Sequence, residues 1–292
     1  MALGPQCGPS HRGYGGARLV GTATARERTK GSTVGDLDGK TILISGVGPG
    51  LGHDIAQIAL REGANVVAGA RQLERLTGIC AELDPTGERI APLPCDITDR
   101  ASCDQLLERA LARFGRIDGV VHVAAHDYSF GGLEGGDLDE WRMIYDINVF
   151  GTMQLTQAAL PALKANGGSI VMIGSQSTDL PRVMQMAYAS SKAALRNIGK
   201  QLAVELGPYK IRVNTVVATW MWGPAVQGYV AGLAAQRGVE EQVVIDEIAS
   251  NMPLREIPED DDVAEMTNFL LSDRARMVTG QAIFVNAGEF IN

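Results

Sequence analysis

Thr41-Ile42-Leu43-Ile44-Ser45-Gly46-Val47-Gly48-Pro49-Gly50-Leu51-Gly52 decides the fold of this chain. A short apolar strand candidate, Thr41–Ser45, runs straight into a glycine-rich turn, and a helical stretch, Leu51–Glu62, follows it. Backbone N–H groups at such a turn can approach a pyrophosphate only where no Cβ intervenes, and the helix dipole adds a favourable field. Gly46, Gly48, Gly50 and Gly52 are therefore candidate dinucleotide contacts. The spacing is Gly-x-x-x-Gly-x-Gly, from Gly46 through Gly50 to Gly52, rather than Gly-x-Gly-x-x-Gly. A glycine cluster by itself is equally a tight turn; its place between strand and helix gives it weight.

Outward from that turn, the pattern of apolar run, turn and helical stretch repeats. Further strand candidates are Asn65–Ala70, Ile90–Cys95, Gly119–Ala124, Ser169–Ile173, Ile211–Val217 and Ala282–Val285, with helical stretches including Ala101–Phe114, Asn148–Lys164 and Ala187–Leu206. Strands alternating with helices of this length imply right-handed βαβ crossovers. The expectation is an α/β fold, a Rossmann-type doubly wound parallel sheet of about seven strands with helices on both faces. No Pro/Ser-rich linker divides the chain after Leu37, so residues 37–292 read as one domain. Residues 1–36 are rich in Gly, Thr, Ser and Arg, lack a sustained apolar period and read as a disordered tail.

Of the 292 residues, 45% are hydrophobic and 21% charged, the balance of an ordinary globular protein. No run of 18 or more apolar residues occurs, so no membrane span is expected. The net charge of −8 argues against nucleic acid and anionic membrane surfaces as partners. Cys7, Cys80, Cys95 and Cys103 show no Cys-x-x-Cys spacing and no accompanying His cluster. Neither a disulfide framework nor a metal site is expected, which fits a cytoplasmic location.

The end of the second strand selects the adenosine ribose. An acid there would pair with a 2′-hydroxyl and repel a 2′-phosphate. This chain has Val66-Val67-Ala68-Gly69-Ala70-Arg71, with no acid and a guanidinium in place. Arg71 can grip a phosphate through two parallel N–H bonds or stack on adenine, which favours NADP(H) and leaves NAD(H) as the alternative. Asp96, after the third strand, can accept from an adenine amino group or act as a helix cap or turn residue.

Tyr188 and Lys192 lie four residues apart in Tyr188-Ala189-Ser190-Ser191-Lys192, and Ser175 ends the run Ser169-Ile170-Val171-Met172-Ile173-Gly174-Ser175. Residues i and i+4 share one helix face, which brings the ammonium near the phenol. A phenol holds its proton to about pH 10. A unit charge ~4 Å away favours the phenolate by up to ~4 kcal/mol, or roughly three pK units. The pair is thus a candidate acid/base for work near neutral pH.

Together these residues resemble the short-chain dehydrogenase/reductase family in its single-domain form, over roughly Leu37 to Gly288. The family's Ser/Thr-Gly-x-x-x-Gly-x-Gly loop is matched by Ser45 to Gly52, and its active-site Asn by Asn148 in Asn148-Val149-Phe150-Gly151. Its Ser, Tyr and Lys match Ser175, Tyr188 and Lys192 at intervals of 27, 13 and four residues from Asn148 onward. Ile211-Arg212-Val213-Asn214 and Val285-Asn286-Ala287-Gly288 look like its late strands. The resemblance implies an NAD(P)(H)-dependent oxidoreductase that interconverts a secondary alcohol and a ketone. Tyr188 would exchange the proton, Ser175 hold the substrate oxygen, Lys192 lower the tyrosine pKa and bind the nicotinamide ribose, and Asn148 anchor a water. Leu51, Ile97 and Ala124 join the glycines, Arg71, Asp96, Tyr188 and Lys192 as implied cofactor contacts. A homo-oligomer, dimer or tetramer, is implied as well, with Asn148–Lys164 and Ala187–Leu206 as candidate contact helices.

Two segments depart from the family. His122-Val123-Ala124-Ala125 stands where Asn-Asn-Ala-Gly is usual, so His122 is read as filling a structural position. Ala218-Thr219-Trp220-Met221-Trp222-Gly223 replaces the usual Pro-Gly and Thr, leaving the carboxamide to backbone groups. Trp220 and Trp222, with Val226 and Tyr229 after them, Met184 and Met186 before the tyrosine, and Phe130 after the fourth strand, suggest an apolar or cyclic alcohol or ketone. The tryptophans serve equally as lid or subunit packing. A 3-oxoacyl thioester reductase is a second enzyme reading, and a catalytically silent dinucleotide sensor a reading of another class.

Overall fold

Strands covered on both faces carry apolar residues at successive positions, because neither side of the pleat meets water. Thr41–Ser45 is buried along its whole length. The computed structural model of the protein describes residues 35–127 and 132–291. The tail expectation for residues 1–36 (all but Gly35 and Asp36) and the reading of Phe130 fall outside those residues.

The strands β1 (Thr41–Ser45), β2 (Asn65–Ala70), β3 (Ile90–Pro94), β4 (Gly119–His122), β5 (Gly168–Ser175), β6 (Ile211–Ala218) and β7 (Ala282–Val285) form one sheet. Their order is β3-β2-β1-β4-β5-β6-β7, with every neighbouring pair parallel. The helices are α1 (Leu51–Arg61), α2 (Leu73–Leu83), α3 (Arg100–Phe114), α4 (Leu138–Tyr145), α5 (Thr152–Asn166), α6 (Met186–Leu206), α7 (Pro224–Arg237), α8 (Glu241–Ala249) and α9 (Asp260–Leu271). This is the expected doubly wound, Rossmann-like α/β fold.

Side chains alternate across the sheet, so each strand feeds two cores. Ile42, Ile44, Val66, Val121 and Val216 pack with Ile55 of α1, Leu76 of α2 and Val263 and Leu270 of α9. Leu43, Val67, Val120, Ile170 and Val213 pack with Leu106 of α3, Leu155 and Leu163 of α5, and Leu195 and Leu206 of α6. The chain reverses its direction of travel between β1 and β4, and the crevice beyond the carboxyl ends of those strands is where open α/β sheets bind ligands. Among the described residues no helix is long and apolar enough to cross a membrane.

Strand β4 stops at His122, two residues before its expected end. The amides of Val123 and Ala124 both converge on the Ser45 carbonyl, at 3.0 and 2.9 Å, and the regular ladder cannot continue past a shared acceptor. The stretch expected as a helix from Asn148 also differs. Residues Asp146–Gly151 form a π-helical turn between α4 and α5. Such an inserted residue rotates the chain locally and is common at functional positions. Here it leaves Asn148 completely buried.

Candidate active site

The glycine turn after β1 is shaped by close backbone contacts. Gly46 has φ +88°, and a Cβ there would lie 2.4 Å from the Ala124 nitrogen. A Cβ on Gly52 would lie 2.4 Å from the Gly46 carbonyl oxygen. Gly50, at φ +96°, precedes α1 and offers it no side-chain cap. The first amides of a helix lack intrahelical acceptors, so this end suits an anion. A cleft of about 410 Å³ opens there, lined by Gly46, Gly48, Arg71, Arg75, Asp96, Ile97 and Ala124 among others. Arg71 and Arg75 lie just past β2, and no acid ends that strand. A loop that admits no Cβ at Gly46 or Gly52, an uncapped helix end and two guanidinium groups fit a dinucleotide. Asp96 spends Oδ1 on the Thr98 amide (2.9 Å) and hydroxyl (2.7 Å). Those bonds, with a smaller effect of Arg71, hold its carboxyl below the usual range.

A second cleft, about 660 Å³, carries Gly50 and Leu51 of the glycine turn together with Ser175 and Tyr188. Ser175 ends β5, and Tyr188 and Lys192 lie on α6 as the four-residue spacing requires. The Lys192 ammonium is buried, donates to the Ile173 carbonyl at 2.8 Å and lies 5.7 Å from the Tyr188 ring centre. Burial lowers its pKa to about 8, although Asp127 acts to raise it. The expected low tyrosine pKa is not what the structure holds. Burial pushes the Tyr188 phenol up to about 12; the Ser175 hydrogen bond opposes this and Asp127 adds to it. The phenolate loses water on entering the cleft wall, and that cost exceeds what the hydroxyl returns.

Asn148 stands behind this pair. Its Oδ1 accepts from the His126 amide at 2.7 Å, and its Nδ2 donates to the His126 carbonyl and to Ser191 Oγ, both at 3.0 Å. The amide thus ties the segment after β4 to α6, and its main-chain carbonyl accepts from the Thr152 hydroxyl at 2.8 Å. His122 is buried at the end of β4, with Nε2 2.9 Å from Thr156 Oγ1 on α5. Burial first, and Lys192 second, hold its pKa near 3, so it is neutral. It braces β4 against α5, the polar role that the missing Asn leaves open.

Of the four residues expected to line the substrate cleft, Trp220 does. Trp222 packs instead on the α7–α8 cluster of Val230, Ala234 and Val244. Met184 and Met186 are exposed and stand outside the lining. Trp222 is two residues from Trp220, yet its amide is held by the Pro258 carbonyl (2.8 Å), which turns the segment toward α8. Residues not singled out from sequence complete the walls: Arg75 in the first cleft, and Arg182 and Asp260 in the second. Arg75 had a local signal, a second arginine four residues after Arg71. The carboxylate of Asp260 presses on Gly50 and Gly223, where a Cβ would fall 2.9 and 2.3 Å from its Oδ2. Burial and the neighbouring acids, Asp54 first, raise its pKa to about 6.

A family model described as enoyl-(acyl carrier protein) reductase matches residues 46–289. The chain is 30% identical to trans-4-hydroxycyclohexanecarboxylate dehydrogenase of Sinomonas cyclohexanicum, over 86% of this chain and 92% of that protein. A short-chain type dehydrogenase/reductase from Mycobacterium ulcerans superposes with a TM-score of 0.79 at 32% identity, over 87% of this chain and 90% of the other. The 3-ketoacyl-(acyl-carrier-protein) reductase of Brucella melitensis, solved with NADH, superposes with a TM-score of 0.78 at 28% identity, over 87% and 100%.

Proposed function

Because this chain belongs to the short-chain dehydrogenase/reductase family, NAD(P)-dependent oxidoreductases acting on CH–OH groups, we propose that it interconverts a secondary alcohol and a ketone with Tyr188 as the acid/base. The observation that carries this reading is the shared cleft, in which Ser175 and Tyr188 face the same space as the glycine turn. The nicotinamide dinucleotide supplies or accepts the hydride at the substrate carbon. Tyr188 exchanges a proton with the substrate oxygen, and Ser175 holds that oxygen. Lys192, fixed by the Ile173 carbonyl, keeps its remaining N–H donors for the nicotinamide ribose. Asn148 is a positioning residue: its side chain is committed to His126 and Ser191. A dinucleotide sensor would need the glycine turn and no proton donor, and Ser175 with Tyr188 in the cleft favours the enzyme.

The substrate is read as apolar and cyclic, supported by Trp220 in the cleft wall and by the relative named for a hydroxycyclohexanecarboxylate. A 3-oxoacyl thioester is the second reading, favoured by the neighbour named as a ketoacyl reductase. A panel of steroid, terpenoid, cyclic and acyl ketones, followed by loss of nicotinamide absorbance, separates the two. No consumption beyond that of Tyr188→Phe would overturn both. The same reading includes a homo-oligomer built on the π turn with α5 and on α6, supported by the exposed Phe150 of that turn and Val204 of α6.

NADPH is the proposed cofactor. Arg71 and Arg75 lie past an acid-free β2, and a charge-assisted pair to a 2′-phosphate is worth ~1.5–3 kcal/mol. NADPH is expected to bind about 10-fold or more tighter than NADH, and Arg71→Ala to remove most of that difference. Titration of nucleotide fluorescence measures both; a clear NADH preference would overturn the assignment.

The pH dependence follows from Lys192. In ketone reduction Tyr188 gives up its proton, and the charged Lys192 ammonium, 5.7 Å from the ring centre, offsets part of the cost of the phenolate. That charge is present below about pH 8 and lost above it. Reduction is therefore expected to fall by roughly 10- to 100-fold as pH rises through that value. The pH–rate profile at saturating ketone checks this, and Lys192→Met should be slow and flat. A wild-type profile flat to pH ~10 would remove the lysine from this role.

A further inference from the structure

Arg182 lies in the wall of the cleft that holds Ser175 and Tyr188. Its guanidinium stacks over the Trp220 ring, 4.4 Å from the centre, and Trp220 packs in turn on Tyr229 of α7 at 5.3 Å. The plane of the fork is thereby set. Its carboxylate partner is Glu289, reached by Nη2 alone at 3.2 Å.

That contact, like the single N–H bonds of Arg61 to Glu265 and Arg274 to Asp36, leaves the fork unused, unlike the forked arginine pairs among the described residues. Arg196 grips Asp179 at 2.6 and 2.9 Å, Arg116 grips Asp118 at 2.8 and 2.6 Å, and Arg237 grips Glu247 at 2.6 and 2.7 Å, each through two N–H bonds. Glu289 is also already committed, because its Oε2 accepts from Gln176 Nε2 at 2.7 Å and from the Thr219 hydroxyl. Gln176 is fixed from its other end by Asn286 at 2.6 Å. Glu289 is thus anchored without Arg182, while most of the five guanidinium N–H donors have no acceptor among the described residues.

A stacked, one-third exposed guanidinium with surplus donors, in the wall of an otherwise acidic cleft, has a use for an anion. The acids in that lining lie elsewhere. Asp127 acts on Tyr188 and Lys192, and Asp260 sits against Gly50 and Gly223. Both repel a carboxylate from their own ends and leave the Arg182 wall for it.

We propose that Arg182 is a specificity-determining residue that binds a carboxylate carried by the substrate, forked between its N–H groups while Trp220 holds the guanidinium plane. The substrate class is then a cyclic oxo or hydroxy acid rather than a neutral ketone. This inference rests on the proposed alcohol–ketone reading of the same cleft.

The test separates binding from turnover. Cyclohexanecarboxylate has no carbonyl to reduce, so its calorimetric titration into the full chain saturated with NADP⁺ reports the anion site alone. It is expected to bind about 10-fold or more tighter than cyclohexanecarboxamide, and Arg182→Gln to lose that advantage. Arg182→Lys should recover only part, since an ammonium cannot fork. Glu289→Gln, which removes the competing charge and keeps the shape, should tighten the acid. In turnover, the kcat/KM ratio of 4-oxocyclohexanecarboxylate to its methyl ester should fall about 10-fold or more in Arg182→Gln, mainly through KM. Acid and amide binding alike, or an acid affinity unchanged in Arg182→Gln and Arg182→Lys, would overturn the assignment. If the acid binds through Arg182 and no ketone is reduced, the anion site stands and the redox reading falls. Ketones reduced with no acid preference give the reverse.

Discussion

Tyr188→Phe is expected to lower turnover by about 10³-fold while nucleotide affinity changes by less than about threefold. The phenol lies in the cleft wall and hydrogen-bonds to Ser175, where it can give a proton to an oxygen held by that serine. Its pKa of about 12 keeps it protonated throughout the neutral range, which suits donation to a ketone. Phenylalanine keeps the ring and its packing on α6 and deletes only the hydroxyl and its bond to Ser175. Because nothing larger than a hydroxyl is removed, the melting temperature should move little. Gly46, Gly48, Arg71 and Arg75 line the other cleft and are untouched. Single-turnover reduction, followed beside a nucleotide titration on the same preparation, measures both quantities. A variant as fast as wild type would end the acid/base assignment. A parallel loss of nucleotide affinity would instead give the tyrosine a binding role.

Gly46→Ala should be a strongly damaging single methyl. At φ +88° any other residue is strained by ~1–3 kcal/mol. The added carbon would also sit 2.4 Å from the Ala124 nitrogen and 2.6 Å from its Cα, both backbone atoms that cannot rotate aside. Relief requires β1 and β4 to part just where Val123 and Ala124 share the Ser45 carbonyl. A loss of about 3 kcal/mol or more is expected, roughly 10 °C in Tm for a chain of this size, with nucleotide affinity lost alongside. Gly48→Ala is the control. Its Cβ would meet nothing within 4 Å, so the fold should tolerate it. A nucleotide phosphate approaching that loop would still meet the methyl, so affinity should fall while Tm holds. Equal melting of wild type and Gly46→Ala would show that the junction is looser than these contacts require.

The parts of the site legible in sequence are those whose geometry is local. A strand entering a helix through Gly46, Gly50 and Gly52 has one way to turn, and Tyr188 and Lys192 share a helix face whatever surrounds them. The apolar runs marked the strands to within a few residues for the same reason, since burial on both faces is written as consecutive apolar positions. The π turn at Asp146–Gly151 was not legible: the sequence reads as ordinary helix from Asn148, and the inserted residue answers to tertiary packing. Trp220 and Trp222 were indistinguishable by type and spacing. One faces the cleft and the other packs on α8 because the Pro258 carbonyl holds the Trp222 amide, a contact 36 residues away in the chain.

By itself, then, the sequence determined the strands, the glycine turn and the shared helix face of Tyr188 and Lys192, because each rests on residues close along the chain. Tertiary structure alone decided how those residues are tuned and what else meets them. The Tyr188 phenol stands above its ordinary range, not below it, because burial is a property of the whole cleft rather than of the Tyr–Lys spacing. Glu289 reaches Arg182 across 107 residues, and Asn286 reaches Gln176 across 110. Those meetings depend on β7 lying beside β6 and β6 beside β5, an order of strands that no local pattern encodes.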